Sequence, residues 1–365
     1  MKEEYLKYCG IKRIEKKYEG LSNYIPPHIN SKYLRLNLNE NLFGPSPKCK
    51  EALKNISLDN LGLYSLEDND GLVELLATTF SVEENQIILH NGSSEMIRMI
   101  FEMILDRKDT ILLPNPGWCY YFSISDVNHF NTVSYPIDEL DDTYRLSIST
   151  LCSLIERTNP GMIVITTPNM PTGNSIVQEE LEYLLKRYKD QFFLIDQAYW
   201  GFTDDKINVS EMVQHYQNVI FVRTFSKFYG LANERIGFSI CNERLKNIIM
   251  LDQPLFRLSY TSRKMAETAL QDVEYYDNIR KVYSKERDYF IAEMNKIKGI
   301  TAFQSDANFV YVKVKNKDVR NIQKKLQEQG YLIRIFNFNN CYCLRVTLYN
   351  REVMDFVIQA FQEYV

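Results

Sequence analysis

Histidine is scarce in this 365-residue chain: His28, His90, His129 and His215 are the four, and no two stand at the spacing of metal ligands. The Cys341-Tyr342-Cys343 pair therefore lacks the further nitrogen or sulfur ligands of a tetrahedral site, and no metal is expected. The seven cysteines (Cys9, Cys49, Cys119, Cys152, Cys241, Cys341, Cys343) are odd in number and scattered. That excludes a disulfide framework and points to free thiols in a reducing compartment. Glycine (14) and proline (11) are few and serve as punctuation between short segments, without a repeat or a low-complexity tract. No apolar run approaches the roughly 20 residues of a membrane span. Met1 to Gly20 is charged and has no apolar signal core or small-residue cleavage site, so a cytoplasmic protein is expected. An excess of one charge is missing too: 43 basic against 47 acidic residues, mixed along the chain, give no nucleic-acid or anionic-membrane footprint. No Gly-x-Gly-x-x-Gly follows any strand-like run, which disfavours a nicotinamide oxidoreductase.

What is present is ordinary globular material, 45% hydrophobic and 13% aromatic, in a chain long enough for two unequal domains. Residues 1–35 read as an irregular arm broken at Pro26-Pro27, 36–250 as a large domain, and 251–365 as a helical connector with a small C-terminal domain. An apolar run over Leu34–Leu38 stops at the turn-rich Asn39-Glu-Asn-Leu-Phe-Gly-Pro-Ser-Pro47, and helix follows from Lys48. Gln86–His90, Thr110–Leu113, Met162–Thr166, Phe192–Ile195 and Asn218–Val222 are short apolar runs, with helical periodicity over Ser93–Leu105 and Gln178–Tyr188. Continuous apolar strands separated by helices predict an α/β domain with a mainly parallel sheet covered on both faces. Beyond residue 245 a helical tract over Arg263–Ile297 leads to a smaller α+β unit. Its expected strands are Asn308–Lys313, Tyr331–Ile335 and Tyr342–Thr347, its expected helices Lys317–Gly330 and Arg351–Tyr364.

Ligands of such sheets bind outside the C-terminal strand ends, and those ends are chemically loaded. Asp196-Gln-Ala-Tyr199 closes one strand; Thr224-Phe-Ser-Lys227 follows the next, with Arg235 a little further on. These are the residue types pyridoxal phosphate needs. An amine forms a Schiff base with its aldehyde, a carboxylate keeps the pyridine nitrogen protonated, and hydroxyls with a cation hold the phosphate.

Seven motifs in order, Asn39–Pro47, Asn91-Gly-Ser-Ser-Glu95, Pro114-Asn-Pro-Gly-Trp118, Pro171-Thr-Gly173, Asp196–Tyr199, Thr224–Lys227 and Leu344-Arg-Val-Thr347, resemble the fold-type I pyridoxal-phosphate enzymes of aminotransferase class I/II. The histidinol-phosphate aminotransferase branch is the nearest in pattern. The resemblance implies that Lys227 is the Schiff-base lysine and proton carrier, that Asp196 pairs with the pyridine nitrogen, and that Tyr199 donates to the phenolic oxygen. Gly92, Ser93, Ser94, Thr224, Ser226 and Arg235 match the phosphate ligands, although an isolated Asn-Gly-Ser-Ser also reads as a plain helix cap. Trp118 matches the aromatic stacked on the ring, Asn169, one position before Met170, is a candidate for binding the cofactor, and Tyr64 matches a tyrosine reaching the partner subunit's phosphate, which implies a homodimer with shared sites. Arg345 matches the carboxylate-binding arginine, Arg334 one that contacts a substrate phosphate, and Asn41, in the Asn39–Pro47 motif, is expected to bind substrate.

The expected reaction moves an amino group from an amino acid, L-glutamate foremost, to a small phosphorylated keto or aldehyde acceptor. Decarboxylation of an O-phosphorylated amino acid, phosphoserine or phosphothreonine, uses the same cofactor residues and is the alternative. Three positions depart from the family pattern: Met170 replaces the usual Asn before Pro-Thr-Gly, Gln197 a Glu, and Ser94 a common Asp. With Met170 in place, Tyr199 is expected to hold the phenolic oxygen alone.

Overall fold

The computed structural model describes residues 15–16, 18–21, 32–64, 71–204, 206–252, 257–315, 319–338 and 341–364. Tyr5, Tyr8 and Tyr24 of the arm, and its Pro26-Pro27 break, lie outside them.

The large sheet has eight strands: β2 (Ile87–His90), β3 (Thr110–Asn115), β4 (Asn131–Glu139), β5 (Tyr144–Leu146), β6 (Met162–Thr166), β7 (Phe192–Asp196), β8 (Val219–Thr224) and β9 (Gly237–Cys241). Their order is β2-β9-β8-β7-β6-β3-β4-β5. Strands β8, β7, β6, β3 and β4 are mutually parallel, whereas β9 runs antiparallel to both its neighbours and β5 antiparallel to β4. Alternation along the central strands divides the core in two. Ile163, Ile165, Phe193, Ile195 and Phe221 pack on one face. Val164, Leu194, Ile220 and Val222 pack on the other, against Met96, Ile97, Ile100 and Phe101 of the helix Ser93–Ile104. The same alternation sends Thr166, Asp196 and Thr224, two residues beyond Val164, Leu194 and Val222, to this second side. Strand order reverses between β3 and β6, which opens a crevice at their C-terminal ends.

The small sheet runs β1-β12-β13-β11-β10, with β1 at Leu34–Leu36, β10 at Ile300–Ala302, β11 at Phe309–Val314, β12 at Tyr331–Phe338 and β13 at Cys341–Thr347. Leu34–Leu36 pairs in parallel with Tyr331–Ile333, so the end of the expected arm and the start of the expected large domain belong to the C-terminal sheet. The expected single helical tract is two helices, Tyr260–Gln271 and Val273–Met294, meeting at Asp272. Tertiary contacts make that break: Asp272 accepts from the Ser46 hydroxyl and pairs with Lys48 at 2.6 Å, tying the helices to the Asn39–Pro47 turn. Among the described residues no helix is long and apolar enough to cross a membrane.

Candidate active site

Strand register builds one corner of the site. His90 and Thr224 both lie opposite Gly237 of β9, so the segments leaving β2 and β8 run side by side. A Cβ on Gly237 would meet the His90 ring at 2.3 Å and the Ser93 amide nitrogen at 2.9 Å, which explains the glycine. Gly92 adopts φ +77°, and a Cβ there would lie 2.3 Å from Nη2 of Arg235. The bare backbone thus lets a guanidinium close over the start of the helix Ser93–Ile104. Arg235 donates to the Ser226 hydroxyl (3.3 Å) and to the Ala232 carbonyl (2.9 Å), and the Thr224 hydroxyl donates to that of Ser226 (3.0 Å). Helix amides, the Ser93, Ser94, Thr224 and Ser226 hydroxyls and one guanidinium form a cradle for a phosphate dianion.

The second corner is the buried Asp196 at the end of β7. It accepts from the Tyr121 hydroxyl and from the Ala198 amide at 2.9 Å. Tyr121 also meets Thr166 at 3.1 Å. Burial raises the Asp196 pKa, while Tyr121, Ala198 and the Lys227 cation oppose the rise and favour the carboxylate. No motif points to Tyr121; it lies one helical turn after Trp118 and faces the core beside Phe101.

Lys227 stands between the two sheets and donates from Nζ to the Leu38 carbonyl at 2.8 Å. Burial, seconded by the Arg345 cation, lowers its pKa to about 8. Since the neutral amine is the nucleophile toward an aldehyde, capture of pyridoxal phosphate by the apoprotein should accelerate as pH rises and level off above about 8. Stopped-flow absorbance across pH 6.5 to 10.5 checks this, and acceleration continuing to the ordinary lysine value of 10.5 would contradict it.

Residues 37–41 bind the two sheets together. Arg345 donates to the Asn37 carbonyl (2.6 Å), the Asn39 amide donates to the Tyr199 hydroxyl (2.9 Å), and the Asn41 amide donates to the Phe228 carbonyl (2.7 Å). Asn41 accepts from the Tyr283 hydroxyl and the Phe43 amide as well, so its polar groups hold the turn, and it is not among the residues lining the cavity.

That cavity, about 280 Å³, is lined by Ser93, Ser94, Trp118, Asp196, Tyr199, Thr224, Ser226, Lys227, Arg235, Arg334 and Arg345, bringing together most of the set read from sequence. Met170 lines it and Asn169 does not. Asn169 Nδ2 donates to the Pro116 carbonyl (3.0 Å) and the Thr172 hydroxyl (2.7 Å), bracing the loop behind the cavity, while its Oδ1 is buried without a protein partner. Gly92 stands just behind the cradle, and Tyr64 is 73% exposed, away from the cavity of its own chain. Arg334 on β12 and Arg345 on β13 are directly opposed in antiparallel register, and both reach the cavity wall.

These residues fit pyridoxal phosphate. The dianion cradle, the buried carboxylate with two donors and an amine of lowered pKa surround one cavity of matching polarity.

The chain is 30% identical to a histidinol-phosphate aminotransferase of Ruminiclostridium cellulolyticum, over 91% of this chain and 93% of the relative. The solved histidinol-phosphate aminotransferase of Sinorhizobium meliloti in complex with pyridoxal-5'-phosphate superposes with TM-score 0.83 at 21% identity, covering 95% of this chain and 98% of that one. L-threonine-O-3-phosphate decarboxylase of Porphyromonas gingivalis shares the fold, with TM-score 0.77 at 21% identity, covering 91% and 99% of the two chains. The model of the family "Aminotransferase class I and II" matches residues 31–361, and the chain belongs to that family of pyridoxal-phosphate-dependent aminotransferases.

Proposed function

We propose that the protein takes the amino group of an amino acid, with L-glutamate as donor, and delivers it to a small phosphorylated keto or aldehyde acceptor, as in histidinol-phosphate aminotransferases. The observation that carries this reading is the Arg334–Arg345 pair. Two guanidiniums directly opposed on adjacent strands repel, and both line the cavity that holds Lys227, where an anionic ligand offsets that cost. A planar guanidinium pairs bidentately with a carboxylate or a phosphate. One arginine suits the donor's α-carboxylate and the other the acceptor's phosphate.

Bound pyridoxal phosphate supplies an electron-withdrawing ring that stabilises negative charge developing at the substrate α-carbon. Ser93, Ser94, Thr224, Ser226 and Arg235 hold its phosphate in this reading, and Asp196 pairs with the ring nitrogen. Tyr121 and the Ala198 amide keep the Asp196 carboxylate oriented and oppose the rise in pKa that burial causes. Trp118 covers one face of the ring. Lys227, its amine pKa lowered to about 8, would take the proton from the substrate α-carbon and return it on the product side. Arg345 fixes the carboxylate, so that the α-carbon faces the Lys227 amine.

Arg334→Gln should raise KM for the phosphorylated acceptor about tenfold to a hundredfold and leave the glutamate half-reaction nearly unchanged. Equal loss in both half-reactions would sink the assignment of Arg334 to phosphate. We infer further that the enzyme is a cytoplasmic homodimer. Leu58, Leu61, Leu63 and Tyr64 are all more than half exposed in the segment that would reach the partner's site. Sedimentation of the holoprotein at the mass of a single chain would refute the dimer.

A further inference from the structure

The loss of the family's usual asparagine at position 170 leaves Tyr199 with the phenolic oxygen of the cofactor, and a tyrosine hydroxyl serves that oxygen only if its proton points toward it. Three hydrogen bonds decide where that proton points. The Asn39 backbone amide donates to the Thr347 hydroxyl at 3.1 Å, so Thr347 must send its own single proton elsewhere. It goes to Oδ1 of Asn39, also at 3.1 Å. With Oδ1 thus engaged, the other end of the amide, Nδ2, faces the Tyr199 oxygen at 2.9 Å. Nδ2 can only donate, so Tyr199 accepts there and directs its own proton away from Asn39.

The clip is rigidly seated. Asn39 is fully buried in a left-handed conformation (φ 54°), and its carbonyl accepts from Asn308 at 3.2 Å. Thr347 lies opposite Phe309 across β11 and β13, and Phe309 holds the Tyr199 ring edge-on at 5.0 Å. Thr347 also lies on β13 two residues beyond Arg345, so the strand that meets the substrate carboxylate sets the direction of the tyrosine proton.

We propose that Asn39, oriented by Thr347, is a positioning residue that fixes Tyr199 as a donor toward the phenolic oxygen of pyridoxal phosphate and so takes over part of the task that Met170 cannot perform. The inference rests on the cofactor placement proposed above.

The test is the pH midpoint at which the visible band of the pyridoxal-phosphate holoprotein changes wavelength, a spectroscopic readout independent of turnover. A donor at the phenolic oxygen lowers this midpoint, so its loss raises it. Thr347→Val removes the hydroxyl at constant shape and lets the Asn39 amide turn its oxygen to Tyr199. Glu40, Asp196, Lys227, Arg235, Arg334 and Arg345, the charges lining the same cavity, stay as they are. The midpoint should rise by about 0.5 to 1 pH unit in Thr347→Val, return to the wild-type value in Thr347→Ser, and show no further rise when Thr347→Val is added to Tyr199→Phe. An unchanged midpoint in Thr347→Val, or an equal rise in the Tyr199→Phe background, overturns the proposal. If melting shows Thr347→Val unfolded, Thr347→Ala, which also removes the hydroxyl and adds no charge, takes its place. Its midpoint must then rise with Tyr199 present and stay unmoved when Thr347→Ala is combined with Tyr199→Phe; any other pattern overturns the proposal. Absence of a visible band in the wild-type protein would instead refute the cofactor placement itself, and this inference with it.

Discussion

Lys227→Ala should abolish the visible band formed with pyridoxal phosphate and lower turnover by about three orders of magnitude or more. The size of the effect follows from the absence of a substitute. Lys227 is the one lysine among the described residues lining the cavity, and its amine is fixed by the Leu38 carbonyl at 2.8 Å. Water or a displaced arginine cannot replace it, because a guanidinium does not give up its proton near neutral pH. The cradle of Ser93, Ser94, Thr224, Ser226 and Arg235 is untouched by the change, so the variant should still retain pyridoxal phosphate non-covalently on equilibrium dialysis. Turnover within tenfold of wild type would remove Lys227 from the chemistry.

The second large effect belongs to Arg345. Arg345→Gln should reduce kcat/KM for glutamate about 10² to 10³-fold, the scale of losing a desolvated, hydrogen-bonded charge pair. Its guanidinium is held in place before any substrate arrives: Nη2 donates to the Asn37 carbonyl at 2.6 Å, and the planar group stands 5.5 Å from the Phe309 ring centre and 5.6 Å from that of Phe336. A pre-set planar fork loses little entropy on binding a carboxylate. Arg345→Lys should therefore recover only a small part of the rate, since an ammonium supplies charge but neither the fork nor the stacking surface. Steady-state kinetics with glutamate as the varied substrate measures both variants; full recovery by lysine would mean that charge alone is used.

The legible parts of the fold are those where local sequence and tertiary environment agree. Met162–Ile165, Phe192–Ile195 and Val219–Val222 are continuous apolar runs in strands buried on both faces. Gly237–Cys241 was not legible as a strand. Its Gly237 and Ser239 look like turn material until β2 and β8 flank it, when Gly237 makes room for His90 and Ser239 bonds the His90 ring at 3.0 Å. Pairing of Leu34–Leu36 with Tyr331–Ile333 joins segments almost a whole chain apart, which no local pattern encodes. The break at Asp272 carries no proline or glycine and comes from Ser46 and Lys48.

The candidate site divides in the same way. Lys227, Asp196, Tyr199, Arg235, Arg334 and Arg345 were readable because particular chemistry and motif order point to them. Tyr121, Thr166 and Asn39 were not assigned roles, because theirs arise from register and from the direction of single hydrogen bonds. The direction of the Asn169 amide was not readable either: adjacency to Met170 says nothing of which way its two ends point, and here Nδ2 serves Thr172 and Pro116 while Oδ1 is buried without a protein partner.

The central claim, that these residues remove an amino group with pyridoxal phosphate, is tested most directly by the visible spectrum of the holoprotein before and after adding L-glutamate without an acceptor. The account predicts stoichiometric bleaching of the visible band and its return when a phosphorylated keto or aldehyde acceptor follows. A band unchanged by glutamate, together with CO₂ released from O-phosphothreonine or O-phosphoserine without any acceptor, would contradict it and assign the same residues to decarboxylation.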